Sequence, residues 1–253
     1  MRKLVTLCMI AGVVASTACG TKEAAGPLEP TGPTGRIRFV NLITNTTRVP
    51  VNAILENVPF GVNLAYGGTT PSSLPSPSTA NYSAILAGAR TLVLKKTADT
   101  ATTVATLPLT ITASQDVTVY ATGGAGTSAV TSFITIDDNT APSATQVRLR
   151  AVNIAPAGGA LDVFVTAPNA DLSTATPTFA TVGVKATSAY ANLAPGTYQI
   201  RTVPAGTVAA SRAAAVSFNM TDVALTGGTG RTILIADKST GGTPLVGFIL
   251  PDR

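Results

Sequence analysis

The residue best placed for covalent chemistry in this sequence is Cys19. It follows three small residues, 16–18, which follow an uncharged, mostly apolar run over residues 4–15 and a basic head at residues 2–3. This order is typical of a secretory signal with a cleavage point. A cysteine directly after the cleavage point resembles a bacterial lipobox, in which the thiol carries a diacylglyceryl group. We therefore expect a lipoprotein signal peptide over residues 1–18 and lipidation at Cys19.

A second outcome stays open at the same bond. Position 16 is Ser, where a lipobox usually has Leu, and the small residues also suit an ordinary signal peptidase that leaves a free thiol on Cys19. A helix over residues 4–15 would be only about 18 Å long at 1.5 Å per residue, which is shorter than the bilayer core of about 30 Å. A permanent transmembrane anchor is therefore disfavoured. Residues 19–35, with three prolines, four glycines and no apolar periodicity, are expected to form a lipidated N-terminus and a disordered tether.

Catalytic chemistry has little support in the sequence. There is no histidine, so Ser-His-Asp and Cys-His arrangements and imidazole metal ligands are excluded. Cys8 leaves with the signal peptide, so Cys19 is the only mature cysteine and no intrachain disulfide can form. The patterns G-x-S-x-G and S-x-x-K are also absent. We predict no catalytic residues, no cofactor and no enzymatic activity.

Acidic residues offer the remaining candidates for a site. Asp137, Asp138 and Asn139 end a predicted strand and carry the oxygen ligands that calcium prefers. Adjacent residues of an extended chain point to alternate sides, so a full coordination shell needs further partners. Whether these three residues bind calcium stays open as a hypothesis. Glycoside hydrolysis needs two carboxylates facing each other across a sugar, and the sparse acids elsewhere are expected at turns and strand ends.

A glycine-rich stretch gives one further motif. Residues 124–129 match the dinucleotide pattern G-x-G-x-x-A and follow a predicted strand. That chemistry needs a helix next, because the helix N-terminus holds the pyrophosphate. Residues 130–134 are instead typical of a strand, so we predict a hairpin loop.

Charge also limits the choice of partners. The 17 basic residues exceed the 12 acidic ones, and two of the basic residues leave with the signal peptide. The only adjacent basic pair of the mature chain, Lys95 and Lys96, lies in a predicted strand, and the other cations are scattered. A nucleic-acid groove needs clustered cations with aromatic partners. We therefore expect no nucleic-acid partner.

The rest of the sequence contains the same unit twice. Residues 36–42 and 148–154 both alternate Arg with apolar residues and then run apolar-Asn-apolar, at an offset of 112 positions. We expect the arginines of these opening strands to face water and the alternate residues to face a core. The further predicted strands are Val51–Leu55 and residues 90–96, 104–112, 117–122 and 130–136 in the first unit, and Leu161–Thr166 and residues 197–203, 213–219, 231–237 and 245–250 in the second.

Composition and strand spacing predict the fold class. Ala, Thr, Val, Gly and Ser dominate, only 11% of the residues are charged, and no segment sustains a helical period. Seven or eight short strands in about 105 residues are typical of a β-sandwich. We predict an all-β protein with two tandem antiparallel β-sandwich domains of Ig-like or Greek-key type, over residues 36–138 and 147–253. Residues 139–146 would link them.

Three motifs of the second unit resemble a known family. Residues 153–156, 161–165 and 193–198 are similar to the bacterial domain of unknown function catalogued as number 4397, which is found in tandem in lipoproteins. The first unit departs from this pattern, with Asn52 where the second has Asp162. Members often carry His-Ala-Ser-Pro after the first strand, and neither unit has that His, so no role for it carries over. The resemblance covers residues 36–253 and implies a β-sandwich, a cell-envelope setting and no established activity.

These features predict an exported cell-envelope lipoprotein, anchored to a membrane by the lipid on Cys19, with a non-catalytic structural, adhesive or ligand-binding role. Gly20, rather than Asp, follows Cys19, which favours the outer membrane and the periplasm or surface if the host is Gram-negative. The expected partner is an envelope protein or a glycan. The alternatives are a carbohydrate- or peptide-binding module of a larger envelope complex and a carboxylate-dependent hydrolase. The ligand, the oligomeric state and the choice of membrane stay open.

Overall fold

The computed structural model describes residues 32–71 and 82–252, and this part of the chain is all-β, as predicted. The helical segments within these ranges are two 3₁₀ turns, Pro156–Gly158 and Ala209–Ser211. No helix in the described ranges is long and apolar enough to cross a bilayer. The predicted signal peptide, Cys19 and most of the predicted tether lie outside the described residues. The end of the tether that is described already enters the first strand, which begins at Thr34.

The first half of the described chain, residues 34–137, forms two sheets. Its strands are β1 (Thr34–Ile43), β2 (Val51–Leu55), β3 (Val58–Leu64), β4 (Thr69–Thr70), β5 (Ser83–Leu86), β6 (Gly88–Lys96), β7 (Asp99–Ile111), β8 (Asp116–Gly123) and β9 (Val130–Asp137). The first inner sheet has the order β4-β1-β8-β9, with β5 also paired to β1. The first outer sheet has the order β3-β2-β6-β7.

The second half, residues 147–252, repeats this arrangement. Its strands are β10 (Val147–Ile154), β11 (Leu161–Thr166), β12 (Phe179–Val182), β13 (Ala186–Thr187), β14 (Ala191–Leu193), β15 (Gly196–Pro204), β16 (Phe218–Leu225), β17 (Gly230–Ala236) and β18 (Val246–Pro251). The second inner sheet has the order β13-β10-β17-β18, with β14 also paired to β10, and the second outer sheet has the order β12-β11-β15-β16. Sheet order therefore matches position by position between the halves.

Three apolar cores separate four layers of sheet. One core lies between the sheets of the first half and includes Ile37 and Phe39, and a second lies between the sheets of the second half. The third core joins the two inner sheets across the halves and includes Val40 from β1 and Val152 from β10. Each inner sheet is thus covered on both faces.

Burial on both faces explains the central pairing of each inner sheet. β1 pairs with β8 in parallel, and β10 pairs with β17 in parallel, whereas the other strand pairs are antiparallel. Parallel strands need both faces covered and therefore carry nearly continuous apolar runs. Residues 39–43 of β1 are such a run, interrupted only by Asn41.

The prediction that the opening-strand arginines face water is wrong at two positions. Arg36 is exposed, but Arg38 and Arg150 are each only 1% exposed. Side chains of a strand alternate between faces, and the face away from each half's own core is covered here by the other half. Arginines on that face are therefore enclosed between the inner sheets.

Most predicted strands coincide with observed ones, and Val51–Leu55 and Leu161–Thr166 match to the residue. The predicted strand over residues 213–219 is wrong, because β16 begins only at Phe218. The preceding segment crosses the outer face of the second outer sheet instead. Arg212 holds it there, with its guanidinium 5.2 Å from the Phe164 ring centre and donating to the carbonyls of Leu172 and Ala175.

Candidate functional site

Two arginines at matching positions of the central strands, Arg38 and Arg150, point into the space between the inner sheets. Parallel pairing places Thr118 beside Arg38 and Thr232 beside Arg150. Arg38 Nε donates to Thr118 Oγ1 at 3.0 Å. Arg150 Nε donates to Thr232 Oγ1 at 2.9 Å. Each guanidinium is thus oriented by a hydroxyl of its own half.

The other end of each guanidinium binds the opposite half. Arg38 Nη2 donates to Asp252 Oδ1 at 2.8 Å, and its Nη1 donates to the carbonyl of the preceding residue, Pro251, at 2.7 Å. Arg150 repeats the geometry in reverse, with Nη2 donating to Asp137 Oδ1 and Nη1 donating to the preceding carbonyl at 3.0 Å. We call these two arginines and two aspartates the Arg–Asp exchange. It is reciprocal, since each half supplies one cation and one anion.

The two carboxylates have further donors. Asp137 accepts from the Tyr82 hydroxyl at 2.7 Å and from the Thr118 hydroxyl. Asp252 accepts from the Thr232 hydroxyl at 2.6 Å. The same threonine therefore joins the arginine of its own half to the aspartate of its own half. Buried charges are tolerated only when they are paired and hydrogen-bonded in this way.

Two tyrosines cover the Arg–Asp exchange at its edges. The Tyr82 ring lies 4.7 Å from the Arg38 guanidinium carbon, and the Tyr190 ring lies 5.0 Å from that of Arg150. A guanidinium over an aromatic face is attracted by the ring quadrupole, and more so where water is excluded. Burial is the main reason why the pKa values of both tyrosines lie above the usual value of 10.

A third tyrosine lies in the core between the halves. Tyr120 is fully buried and its ring packs on Phe133 with centroids 6.0 Å apart. Burial raises the pKa of Tyr120 to about 12. Its hydroxyl makes no hydrogen bond to any residue that the structure describes. This tyrosine therefore contributes by packing.

The arrangement binds the halves together rather than serving a reaction. The charges of the Arg–Asp exchange balance, with two cations against two anions, and each of them is engaged with the opposite half. Replacing a buried ion pair by apolar residues is often neutral, but removing one partner alone costs several kcal/mol. The Arg–Asp exchange therefore specifies which surfaces meet more than it adds net stability.

A buried asparagine anchors loops in each half. Asn41 Nδ2 donates to the carbonyls of Leu64 and Ala65 at 2.9 and 3.2 Å, and its Oδ1 accepts from the backbone of Ile43. Asn153 does the same in the second half, donating to the carbonyl of Gly159, shortly before β11, and to that of Val182, the last residue of β12. This is the role of the apolar-Asn-apolar motif that both units share.

The three residues weighed as calcium ligands lie in different environments. Asp137 belongs to the Arg–Asp exchange. Asp138 is half-exposed and pairs with Arg148, whose hydrogen bond is the main cause that lowers the pKa of Asp138 to about 2. Asn139 donates to Asp116. Within the described ranges, no group of three or more His, Cys, Asp or Glu residues is placed to hold a metal ion.

The other sequence motifs lie as follows. Residues 124–129 form the loop of the β8–β9 hairpin, as predicted, and a strand follows them. Asp162 and Asp237 accept backbone N–H groups, and Asp99 and Asp171 bind nearby residues within their own turns. A cleft of about 450 Å³ opens beside the Arg–Asp exchange, near Asp116 and residues 136–140.

The sheet order and the buried pairing define an all-β sandwich protein with two matching halves. Residues 35–164 match the family described as Domain of unknown function (DUF4397), and the chain belongs to this family. The match runs from β1 into β11 and thus confirms, over those residues, the resemblance that the sequence motifs indicate. A search of the curated proteins finds no match.

Solved structures show only distant similarity. One is the TIE protein of Bacillus anthracis, at 10% identity and a TM-score of 0.23, covering 87% of this chain and 44% of that one. Another is a leucine-rich repeat protein from Bacteroides thetaiotaomicron, at 13% identity and a TM-score of 0.19, covering 84% of this chain and 26% of that one. The chain thus spans less than half the length of either.

The sequence alone does not predict the Arg–Asp exchange, although it contains part of the signal. Arg38 and Arg150 occupy the same place in the two opening strands, and an aspartate lies at the end of the last strand of the first half and directly after that of the second half. What the sequence does not contain is the packing of one inner sheet on the other. Without that contact, an arginine that alternates with core residues is expected to face water.

Proposed function

We propose that this protein is an exported, membrane-anchored lipoprotein of the cell envelope, with two tandem modules over residues 36–138 and 147–253 that act as one non-catalytic unit. The observation that carries the proposal is the Arg–Asp exchange. Four buried charges of the described inner sheets and their ends, Arg38, Arg150, Asp137 and Asp252, join the halves. Such a unit suits a structural, adhesive or ligand-binding role.

Strand direction supports the display of this unit away from a membrane. β1 begins at Thr34, next to the predicted tether, and the Arg–Asp exchange lies near that end of the strands. β8 runs parallel to β1, so the β8–β9 hairpin loop lies at the opposite end. The second half repeats this direction. Lipid on Cys19 would therefore leave the hairpin loops facing outward.

The anchor is tested on the native protein. The intact mass of the mature chain, purified from membranes with detergent, should exceed that of the bare chain starting at Cys19 by a diacylglyceryl group and any N-acyl chain. Cys19→Ser should move the protein to the soluble fraction and leave its circular dichroism unchanged. A bare mass, or membrane retention of the variant, would contradict the anchor.

The non-catalytic role is tested separately. Material that co-purifies with the native protein after mild crosslinking should be an envelope protein or a glycan. The same experiment on the Cys19→Ser variant shows whether the partner needs the membrane. Turnover of a co-purified glycan or peptide by the protein would contradict the non-catalytic assignment.

A further inference from the structure

The lysines of this protein are scattered along the sequence, but the fold brings those of the described ranges to one end of the molecule. They are Lys95 and Lys96 at the end of β6, Lys185 between β12 and β13, and Lys238 after β17. Every lysine within residues 32–71 and 82–252 belongs to this set, and none of the four is buried.

Lys96 lies at the same end of the molecule as the loop between β1 and β2. The N–H of the next residue, Thr97, donates to the carbonyl of Pro50 in this loop at 3.0 Å. Arg48 belongs to the same loop and donates to the carbonyl of Ser128, in the β8–β9 hairpin loop, at 3.0 Å. The outer and inner sheets of the first half therefore each bring positive charge to this end.

The second half adds two cations at the same end. Lys185 Nζ contacts Thr131 Oγ1, one residue after β9 begins, at 3.0 Å. Lys238 lies in the loop after β17, and this loop approaches the β8–β9 hairpin loop closely, since a Cβ on Gly241 would lie 3.8 Å from that of Ala125. We call this end of the molecule the basic end, defined by Arg48, Lys95, Lys96, Lys185 and Lys238.

Little negative charge opposes these cations. Within the described ranges, none of the five lies within 4.0 Å of a carboxylate, and the ion pairs that the structure shows are at the opposite end. The described aspartates nearest to the basic end have partners of their own. Asp162 and Asp237 are buried and accept backbone N–H groups, and Asp99 accepts from Ala101 and Thr102.

The opposite end uses a different cation in a different way. Arg36, Arg38, Arg148 and Arg150 are each paired with an aspartate. The planar guanidinium suits such fixed pairing, whereas the lysine ammonium is a hydrated point charge on a flexible stem. The arginine charges of that end thus serve the fold, and the lysine charges of the basic end are available to a partner.

The surroundings of these cations indicate the chemistry of the partner. Residues with hydroxyl side chains are exposed in the same loops, at Thr46, Thr127, Ser128 and Thr240. Hydroxyls both donate and accept hydrogen bonds, as a sugar requires. No aromatic side chain is exposed in the described part of the chain, so the stacking that binds single-stranded nucleic acid is not offered. Recognition here depends on charge and on hydrogen bonds.

The spacing of the cations favours a polymer over a single anion. They come from successive sheets, and sheets packed face to face lie about 10 Å apart. This is close to the Debye length of about 10 Å at about 0.1 M salt, so each cation acts mainly on charge close to it. An extended chain with many charges engages several cations at once, and the linked contacts strengthen one another.

We propose that the basic end binds an acidic polysaccharide of the cell envelope, with carboxylate groups repeated along an extended chain. The lysines and Arg48 contact the carboxylates, and the exposed hydroxyls of the loops contact those of the sugars. The inference names a ligand for the ligand-binding role proposed above and rests on that role, but it does not depend on the lipid at Cys19.

The probe is polygalacturonic acid, a linear polymer of a uronic acid, immobilised for biolayer interferometry. The mature chain with Cys19→Ser, which needs no detergent, should bind it saturably. Raising the salt from about 50 to about 200 mM should weaken binding by at least about fivefold, because salt screens exposed charges. Dextran, a neutral polysaccharide, should not bind.

Three variants and a matched control locate the site. K96Q and K238Q should each weaken binding by at least about twofold, and K96Q/K185Q/K238Q should weaken it by at least about tenfold. R90Q removes the same charge at the opposite end, near the start of β6, and should change binding by less than about 1.5-fold. Circular dichroism shows whether each variant is folded, and the two single variants keep the test if the triple variant is not.

Three results would overturn the proposal. One is the absence of saturable binding to polygalacturonic acid at low salt, and another is equal weakening by R90Q and K238Q. The third is tighter binding to phosphatidylglycerol vesicles or to a DNA duplex than to polygalacturonic acid, because the partner would then be a membrane or a nucleic acid. None of these results bears on the anchor, which the mass and fractionation of the native protein test separately.

Discussion

Arg38 on β1 binds the carboxylate of Asp252, which lies 214 positions later and belongs to the other half. The matching arginine of the second half binds the matching aspartate of the first half. A reciprocal contact of this kind has the form of a two-fold dimer interface within one chain. It follows that each buried arginine makes its shortest ion pair with the opposite half, although Arg38 also lies 3.8 Å from Asp137 of its own half.

The first prediction concerns the removal of one anion. D252N should lower the free energy of unfolding by about 3–5 kcal/mol, because two buried arginines would then share one carboxylate, Asp137, which lies 3.8 Å from Arg38 and also binds Arg150. Urea denaturation followed by circular dichroism measures the change. Loss of less than about 1 kcal/mol would show that the Arg38 charge is satisfied elsewhere.

An exposed ion pair supplies the control. Arg36 and Asp116 also form an Arg–Asp pair in the first half, but the Arg36 side chain is 46% exposed. D116N should cost no more than about 1 kcal/mol. A cost equal to that of D252N would mean that burial of an ion pair does not determine how much its loss lowers the free energy of unfolding.

The second prediction tests whether Arg38 and Asp252 interact directly. The double variant R38M/D252L should be more stable than either single variant, because it removes both charges and leaves apolar residues that can pack. The coupling energy from the double-mutant cycle should be at least about 1 kcal/mol. Additive effects of the two substitutions would contradict a direct interaction.

Local patterns predict much of this fold, and contacts between sheets do not follow from them. The sequence predicts Val51–Leu55 and Leu161–Thr166 to the residue, because each is a short apolar run between turn signals. β4, β13 and β14 have two or three residues and too little pattern to detect. They form because β1 and β10 offer a free edge for pairing.

The third prediction concerns alkaline pH. Burial raises the pKa values of four tyrosines, Tyr66, Tyr82, Tyr120 and Tyr190, above 10. The folded state holds these protons more tightly than the unfolded state, so their contribution is complete below pH 10 and is lost as the pH rises from 10 toward 12. Urea midpoints should therefore fall above pH 10. Tyrosinate absorbance near 295 nm should appear for these residues only as the protein unfolds.

Tyr120 provides a sharper form of this test. Y120F should change the free energy of unfolding at pH 7 by less than about 1 kcal/mol, because the hydroxyl has no partner among the described residues. The variant should also lose less stability between pH 10 and 12. A large loss at pH 7 would show that this hydroxyl has a partner.

The fourth prediction concerns the asparagine anchors. N41A should destabilise the protein by about 2 kcal/mol, because it removes the side-chain partner of the buried Leu64 carbonyl and of the Ile43 N–H, whereas the Ala65 carbonyl keeps the Gly68 N–H. N192A, at an exposed position of β14, should cost less than about 0.5 kcal/mol. Thermal unfolding of both variants measures the difference, and equal effects would argue against the anchoring role.

The sequence shows the Asn of the apolar-Asn-apolar motif in both units, but the function of this residue depends on chain segments far from it in sequence. Asn41 binds residues 64 and 65, and Asn153 binds residues 159 and 182. The motif predicts a strand with a polar interruption inside its core-facing positions. Only the course of the loops shows that the interruption satisfies backbone groups.

The claim that the Arg–Asp exchange joins the halves into one unit is tested most directly by differential scanning calorimetry of the mature chain. The unaltered protein should unfold in a single transition whose calorimetric and van't Hoff enthalpies agree, and D252N should reduce this agreement or split the transition. Two separate transitions in the unaltered protein would contradict the claim.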